Sequence, residues 1–200
     1  MEERKIIVIE YMSLDGVIQA PGGPTEDTSN NFTYGGWLAP FTDDVGGAFV
    51  QELMQPSDLL LGRVTFDIWE NYWPAHSENW KGINDMNKYV LSTTKFQSKW
   101  KNSFFIKNLE EIEILKKTEG TDLKVWGSSK LVQSLLRKNL VDELWLLICP
   151  VLLGKGKKLF SDNVPPGEFE LVKSVITPTG VFIANYRRKG NIKTGTVGDA

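Results

Sequence analysis

Two short segments of the sequence combine glycine with residue types that bind phosphate. Gly62-Arg63-Val64-Thr65 and Gly127-Ser128-Ser129 each follow an apolar run and precede a helical pattern. Glycine allows close approach to the backbone, and the free N–H groups of a helix start attract phosphate oxygens. Arg63 adds a planar cation that suits phosphate. The pair predicts sites for the two halves of a pyrophosphate, although each segment alone is also typical of a tight turn with a helix cap.

A third polar segment, Ser92-Thr93-Thr94, follows another apolar run. Hydroxyl groups at that position are suited to hydrogen bonding an adenosine ribose or its 2′-phosphate. Serine and threonine are also common turn formers, so this reading competes with a purely local one. Neither glycine segment matches the Walker loop or the dinucleotide glycine fingerprint.

Other site chemistries are restricted by composition. His76 is the only histidine and Cys149 the only cysteine, which excludes an intrachain disulfide and a Cys-rich zinc site. We therefore predict no metal. His76 follows a Trp-Pro-Ala segment and is interpreted as a loop residue, whereas Cys149 lies in an apolar run and is interpreted as a small buried hydrophobe.

The charge balance gives no support for a nucleic-acid partner. Lys and Arg total 23 against 25 Asp and Glu, a formal net charge of -2. No apolar stretch approaches the roughly 20 residues that span a bilayer, and the N-terminal apolar run is too short for a signal peptide. We expect a cytoplasmic protein without membrane association.

Apolar runs rich in β-branched residues predict the strands that position these segments. Eight are expected, at residues 6–12, 59–61, 88–92, 103–106, 123–126, 143–151, 169–174 and 181–188. Helical patterns separate most of the early strands, which indicates a mostly parallel sheet covered on both faces. The last three strands have no helix between them and are expected to be antiparallel. The prediction is a three-layer α/β domain over residues 1–188, with a flexible C-terminal tail at 189–200.

Two further local features bear on the site. Residues 13–40 form a long polar loop, which an ordered domain rarely carries without using it. After it, Thr42 is predicted to cap a helix with Asp43 and Asp44 in the first turn, where the helix dipole favours anions. Asn108 and Glu111 resemble a capping box for a later helix.

These segments occur in an order that resembles a known superfamily. The stretches that carry the resemblance are residues 13–16 (SLDG), 60–66 (LLGRVTF), 90–94 (VLSTT), 141–144 (VDEL) and 150–160 (PVLLGKGKKLF). The chain resembles the dihydrofolate reductase-like superfamily, and most closely the reductase domain of the bifunctional riboflavin-biosynthesis deaminase–reductase. The resemblance covers about residues 5–188.

The resemblance implies NADPH as the cofactor and a dihydrofolate reductase-like fold. By motif position, the residues that would contact the cofactor are Ser13, Gly62, Arg63, Thr65, Ser92, Thr93, Gly127, Ser128 and Ser129. One departure is that the family often has Gly-Gly where this chain has Gly127-Ser128. The family also tends to form dimers, so a homodimer is expected.

Reduction of a C=N or C=O bond requires a proton source as well as a hydride donor. Asp44 is the first choice for the acidic residue that faces the substrate, and Asp15 the second. Trp37, Phe41 and Phe49 would form an apolar floor for a planar ring. The alternatives are that Asp15 only shapes an Asp-Gly turn and that Asp44 only caps its helix.

The predicted function is an NADPH-dependent reductase of a small heteroaromatic or pterin-like substrate. A riboflavin-pathway reductase of a ribosylaminopyrimidine phosphate is one alternative. Residues 13–40 contain neither Lys nor Arg, which argues against a phosphorylated substrate at that loop. A non-catalytic NADPH-binding protein is the other alternative.

Overall fold

An eight-stranded sheet organises the chain in this computed structural model, which describes residues 3–160 and 162–198. The strands are β1 (Ile6–Ser13), β2 (Asp58–Gly62), β3 (Lys88–Leu91), β4 (Ser103–Ile106), β5 (Leu123–Trp126), β6 (Glu143–Cys149), β7 (Glu168–Ile176) and β8 (Phe182–Gly190). Their order across the sheet is β4-β3-β2-β5-β1-β6-β8-β7. The first six strands are parallel, whereas β8 is antiparallel to β6 and β7 is antiparallel to β8. The predicted sheet is confirmed.

Helices cover both faces of this sheet. They are α1 (Asp44–Leu53), α2 (Arg63–Tyr72), α3 (Leu109–Lys116) and α4 (Ser129–Arg137). Leu59 and Leu61 of β2 belong to one apolar cluster with Phe66 of α2, whereas Leu60 belongs to a second cluster with Leu131 of α4. This alternation follows the two-residue period of a strand, whose successive side chains point to opposite faces. The three-layer α/β prediction is confirmed.

Most of the predicted strands differ from the structure by one or two residues at an end. The strand expected at 143–151 ends at Cys149, and β8 continues to Gly190, beyond the expected start of the tail at residue 189. The β8 ladder extends because Gly190 pairs with Glu168 at the start of β7. Long-range pairing of this kind determines strand ends and leaves no local sequence signal.

The cap of α1 also differs from the prediction. Asp43, not Thr42, is the N-cap, and its Oδ1 accepts a hydrogen bond from the Gly46 N–H at 2.7 Å. Its Oδ2 accepts one from Thr179 Oγ1 at 2.6 Å, which joins α1 to the turn between β7 and β8. These hydrogen bonds from Gly46 and Thr179 hold the pKa of Asp43 well below its usual value. Of the two predicted first-turn aspartates, only Asp44 lies in the first turn of the helix.

The long polar loop is held against the segment that follows β6. Val17 forms an isolated antiparallel bridge with Lys158, and Gln19 Oε1 accepts a hydrogen bond from the Lys157 N–H at 3.0 Å. Inside the loop, Trp37 Nε1 donates to the Gln19 carbonyl at 2.8 Å. The loop is therefore fixed by contacts with residues about 140 positions away.

No helix in the described ranges is long and apolar enough to cross a membrane.

The last strand of the sheet presents an apolar surface. The edge strand β7 exposes Leu171, Val172 and Ile176. This apolar surface is compatible with the expected homodimer, which stays a prediction.

A buried ion pair joins the amino ends of the central strands. Arg4, only 4% exposed, precedes β1 and donates from Nη2 to Asp58 Oδ2 of β2 at 2.5 Å. Its Nε donates to the carbonyl of Thr121, just before β5, at 2.5 Å. Asn87 Nδ2 donates to the other oxygen of Asp58 at 3.0 Å. Arg4 thus fixes the relative placement of β1, β2 and β5 at the end opposite to their carboxyl termini.

Replacing Arg4 tests how much the sheet depends on this ion pair. We expect Arg4→Ala to lower the free energy of unfolding by about 3–5 kcal/mol, because it leaves a buried carboxylate without its cation. Urea denaturation gives the value. Lys101→Ala is the matched control, since it breaks the exposed Lys101–Asp85 pair and should leave the denaturation midpoint unchanged. Equal midpoints for Arg4→Ala and the wild type would contradict the expectation.

Candidate functional site

A cleft of about 550 Å³ lies at the carboxyl ends of the central parallel strands. The ends of β1, β2, β3 and β5 form its floor, the starts of α2 and α4 one wall, and residues 18–21 and 26–27 of the loop another wall. Open α/β sheets bind ligands at this edge, where strand order permits a crevice between neighbouring turns. The sequence-predicted glycine segments both line this cleft.

Ser128 connects the two glycine segments directly. Its hydroxyl accepts a hydrogen bond from the Gly62 N–H at 2.9 Å and donates one to Thr65 Oγ1 at 2.8 Å. Ser128 has a left-handed conformation, with φ 69°, as does the preceding Gly127, with φ 65°. The hydroxyl predicted to contact phosphate is thus engaged in joining the two turns.

The starts of both helices remain available to a ligand. Among the described residues, no side chain caps α2 after Gly62 or α4 after Ser128. The first N–H groups of each helix therefore lack an intrahelical or side-chain acceptor, and they border the same cleft. Two free helix N-termini on adjacent strands form a favourable site for paired anionic groups.

A side chain at either glycine would be crowded where the turns meet. A Cβ added at Gly62 would lie 3.2 Å from Ser128 Oγ, and one at Gly127 would lie 3.3 Å from Thr65 Cγ2. Both positions therefore favour glycine, Gly127 also because of its positive φ, and the backbone stays accessible from the cleft. This accessible backbone with unpaired N–H groups fits the pyrophosphate of a dinucleotide.

Charged residues beside the first turn form a linked group. Arg63 Nη1 donates to Asp67 Oδ2 at 2.5 Å, and Lys95 Nζ donates to Asp67 Oδ1 at 2.9 Å and to Glu70. Burial acts to lower the pKa of Lys95, but the hydrogen bonds to Glu70 and Asp67 outweigh it and raise that pKa. Arg63 is thus held by Asp67 at the mouth of the cleft.

The third predicted segment also borders the cleft. Ser92 Oγ accepts hydrogen bonds from the Thr94 N–H at 3.2 Å and the Lys95 N–H at 2.8 Å, which is the turn-forming alternative of the sequence analysis. Thr93 is exposed at the cleft edge. Of the two hydroxyls predicted to contact ribose, Thr93 has the more accessible one.

Ser13 and Asp15 lie outside the cleft and support its loop. Ser13 Oγ donates to Asp15 Oδ1 at 2.7 Å, and Asp15 accepts hydrogen bonds from the N–H groups of Leu153 at 3.1 Å and Gly154 at 2.9 Å. Partial desolvation acts to raise the pKa of Asp15, but the bonds from Ser13, Leu153 and Gly154 hold it below its usual value. Asp15 thus joins the loop to the segment after β6. This structural role agrees better with the alternative that Asp15 shapes a turn than with a role facing the substrate.

Asp44 and Trp37 are also separate from the cleft. Asp44 is exposed in the first turn of α1. Trp37 is buried in the core, where its Nε1 donates to the carbonyl of Gln19. The structure therefore does not bring these two predicted substrate residues together with the glycine turns.

The remaining predicted floor residues pack near β6 and β7. Phe49 contacts Trp145 with ring centroids 6.1 Å apart, and Lys173 Nζ lies 4.6 Å from the Phe49 centroid. The Phe41 carbonyl accepts a hydrogen bond from Thr179 Oγ1 at 2.7 Å. These two aromatic residues lie outside the residues that line the cleft.

Sequence reasoning missed the polar atoms at the bottom of the cleft. Glu10 of β1, 4% exposed, lies beside Gly127, and its Oε1 has no partner in the described part of the chain. Burial outweighs the opposing effect of the Gly127 N–H and raises the pKa of Glu10 well above its usual value. Trp126, 8% exposed, likewise has an unpartnered Nε1. The one available signal was a glutamate inside an otherwise apolar run.

Aromatic residues line the end of the cleft beside β1. Tyr11, Trp69 and Trp126 border it together with Ile9. Trp80 connects the two indoles, with centroids 5.4 Å from Trp69 and 5.4 Å from Trp126. Burial, with a smaller effect of Cys149, raises the pKa of Tyr11 to about 12, so its hydroxyl stays protonated. This end is suited to a planar ring and offers hydrogen-bond donors.

The loop wall has a different electrostatic character. It contributes Glu26 and Asp27, and the facing Lys157 donates to Asp27 Oδ2 at 2.5 Å. Glu26 Oε2 accepts the Gly22 N–H at 2.8 Å, and burial raises the pKa of Glu26. The cation on this side is thus paired with a carboxylate.

Comparisons with known proteins identify the family. The family model for the RibD C-terminal domain matches residues 4–183. The chain belongs to this family. The uncharacterized protein YyaP of Bacillus subtilis (strain 168) is 32% identical over 197 residues, 95% of this chain and 98% of that protein. The uncharacterized protein YwjB of the same organism is 23% identical over 162 residues, 80% of this chain and 84% of that protein.

Two solved structures are similar in fold to this RibD C-terminal domain protein. A candidate riboflavin biosynthesis protein from Shewanella sp. PV-4 gives a TM-score of 0.64 at 23% identity, over 92% of this chain and 99% of that one. A pyrimidine reductase-like protein from Corynebacterium diphtheriae gives 0.61 at 14% identity, over 95% of this chain and 94% of that one. The dihydrofolate reductase-like resemblance stated from the sequence is confirmed.

Two substitutions of Ser128 separate its hydroxyl from its backbone conformation. We expect Ser128→Ala to lower the free energy of unfolding by about 1–3 kcal/mol, because it leaves the Gly62 N–H without its acceptor. Ser128→Gly should cost about 1 kcal/mol less, since glycine adopts φ 69° without strain. Chemical denaturation of both variants gives the difference.

Ser134→Ala is the control for this pair, because the hydrogen bonds of the Ser134 hydroxyl stay within its own helix. It donates to the Lys130 carbonyl and accepts from the Arg137 guanidinium. Its effect should stay within about 0.5 kcal/mol. Equal losses in Ser128→Ala and Ser134→Ala would show that the bridge between the turns contributes no stability.

Proposed function

We propose that this chain is an NADPH-dependent reductase that transfers hydride to a small, non-phosphorylated heteroaromatic or pterin-like substrate. The observation that carries the proposal is the pair of free helix N-termini, joined by Ser128, that face one cleft beside an aromatic wall. Membership of the RibD C-terminal domain family supports reductase chemistry.

The residues of the cleft suit the parts of the dinucleotide. The backbone N–H groups after Gly62 and after Ser128 would bind the two phosphates, with Arg63 as a nearby cation. Thr93, at the cleft edge, would hydrogen bond the adenosine ribose or its 2′-phosphate. When bound, the reduced nicotinamide supplies the hydride.

The aromatic end of the cleft would bind the substrate. Trp69 and Trp126 offer apolar surface for a planar ring. Tyr11 presents a hydroxyl whose high pKa keeps it protonated across the working range of an enzyme. In this proposal Tyr11 hydrogen bonds the substrate atom that gains the proton, the role that the sequence alone gave to Asp44.

The charges of the loop wall favour a substrate without phosphate. Glu26 and Asp27 border the cleft there, and the charge of Lys157 is already matched by Asp27. A phosphate placed beside two carboxyl groups would lack a free cation. This argues for the heteroaromatic or pterin-like class.

A riboflavin-pathway reductase of a ribosylaminopyrimidine phosphate is the second candidate. It is favoured by the family itself and by the Shewanella structure, whose name connects it with riboflavin biosynthesis. Such a substrate would need Lys157 to leave Asp27, or the exposed Lys130 to reach the phosphate.

Cofactor binding is tested by titrating NADPH and NADH against tryptophan fluorescence, since Trp69 and Trp126 border the cleft. We expect NADPH to bind at least about tenfold more tightly than NADH, a difference of about 1.4 kcal/mol, because cations and hydroxyls border the cleft. Equal affinities, or no binding of either, would contradict the proposal.

A pair of glycine variants serves as the internal control of that titration. Gly127→Ala places a Cβ against Thr65 and should weaken NADPH binding at least about tenfold. Gly82→Ala introduces a comparable positive-φ strain, at φ 84°, outside the cleft and should bind NADPH as the wild type does. Equal losses in both variants would attribute the effect to backbone strain.

The role of Tyr11 is tested with Tyr11→Phe, which keeps the ring and removes the hydroxyl. With a substrate found among quinonoid, pterin and nitro compounds, we expect kcat to fall roughly 10²-fold while NADPH affinity stays near that of the wild type. NADPH oxidation, followed by absorbance, gives the rate.

Asp44→Asn is the comparison variant for Tyr11→Phe. We expect it to retain turnover, because Asp44 is exposed outside the cleft and Asn keeps the shape of its side chain. Loss of turnover in Asp44→Asn alone would return the role to Asp44. NADPH binding without turnover of any compound would favour the non-catalytic alternative.

A further inference from the structure

Glu10 occupies an unusual position for an ionisable residue. It lies in the middle of a central strand, between Ile9 and Tyr11, and its side chain is almost completely excluded from solvent. The Gly127 N–H lies close enough to the carboxyl group to act on its pKa, and Oε1 has no hydrogen-bond partner within the described residues. A buried carboxyl group with an unpartnered oxygen is costly unless the structure uses it.

The partner of Glu10 connects it to the second glycine turn. Because Ile9 pairs with Trp126 in the sheet, Glu10 and Gly127 are adjacent across β1 and the end of β5. Gly127 directly precedes Ser128 and the free N-terminus of α4. The carboxyl group of Glu10 therefore lies beside the first peptide of this turn.

We propose that Glu10 is a positioning residue of the anion site, which fixes the Gly127 turn while uncharged and permits phosphate binding only in that state. This inference rests on the proposed binding of NADPH. A carboxylate beneath the turn would oppose a bound phosphate at short range in a region shielded from water. An uncharged carboxyl gives the same hydrogen-bond acceptor without that repulsion.

Burial supports this assignment, because desolvation disfavours the charged form of a carboxyl group. It is the main cause of the raised pKa of Glu10, and the Gly127 hydrogen bond only partly opposes it. A phosphate bound above the turn would raise that pKa further. Binding of the cofactor should therefore be strongest below the pKa of Glu10 and should weaken as pH rises through it.

Other titratable groups border the same cleft, and the experiment distinguishes their effects on NADPH binding from the effect of Glu10. They come from α2, α4, the loop, the segment after β6, and β1 itself, and they are Arg63, Lys130, Glu26, Asp27, Lys157 and Tyr11. The raised pKa of Glu10 is caused by burial and opposed by Gly127, without a contribution from these groups. NADPH also carries a titrating 2′-phosphate. All of these groups remain unchanged when Glu10 alone is replaced.

The test measures NADPH affinity by fluorescence titration from about pH 6 to about pH 9.5, a range below the usual lysine pKa. We expect the affinity of the wild type to fall at least about tenfold over this range. Glu10→Gln keeps an acceptor for Gly127 and cannot ionise, so it should match the low-pH affinity of the wild type and lose most of the pH dependence. Glu10→Met removes the acceptor and should bind weakly at every pH.

The outcomes distinguish this inference from the proposed function. Absence of NADPH binding to the wild type at every pH would overturn the proposed function, and with it this inference. NADPH binding with the same pH dependence in the wild type and in Glu10→Gln would overturn the role of Glu10 alone. Loss of the pH dependence in Glu26→Gln, with retention in Glu10→Gln, would assign the titration to Glu26. Thermal unfolding of each variant confirms that the folded protein is compared.

Discussion

The hydrogen bonds of one serine hydroxyl hold the candidate site together. Ser128 joins the end of β2 to the end of β5, because its Oγ accepts from the Gly62 N–H and donates to Thr65 Oγ1. These strands are neighbours in the sheet, so their turns emerge side by side. Without the bridge, each turn would be only a local connection between a strand and a helix. With it, two helix N-termini face a single cleft.

The same bridge explains why α4 starts without a side-chain cap. A serine before a helix usually accepts an N–H of that helix, but Ser128 directs its hydroxyl to the neighbouring turn and adopts a left-handed conformation. The first N–H groups of α4 are thus left without a side-chain acceptor within the described residues. The apparent departure from a Gly-Gly pattern is thus compatible with an anion site, because the backbone, rather than the hydroxyl, faces the cleft.

The sequence predicted the sheet, its helical layers and the proximity of the two glycine turns, because each depends on local periodicity and on the rule that parallel strands end at one edge. The substrate side could not be predicted in this way. Trp37 entered the core because the loop folds back on Lys157 and Lys158, a contact between residues far apart in the chain. The importance of Glu10 could not be predicted either, since a single glutamate in an apolar run does not reveal which backbone groups will lie beside its carboxyl group.

The two walls of the cleft differ in the polar and charged groups that they present. The turn wall offers N–H groups to anions, with Arg63 paired to Asp67 beside them, whereas the loop wall offers Glu26 and the pair formed by Asp27 and Lys157. Between them, Trp126 Nε1 and Glu10 Oε1 are buried without a partner among the residues that the structure describes, where most buried polar atoms have one. A ligand that is anionic at one end and an uncharged hydrogen-bonding ring at the other would satisfy both walls. A ligand anionic at both ends would have to displace Asp27 from Lys157, so the electrostatics of the loop select against a second phosphate.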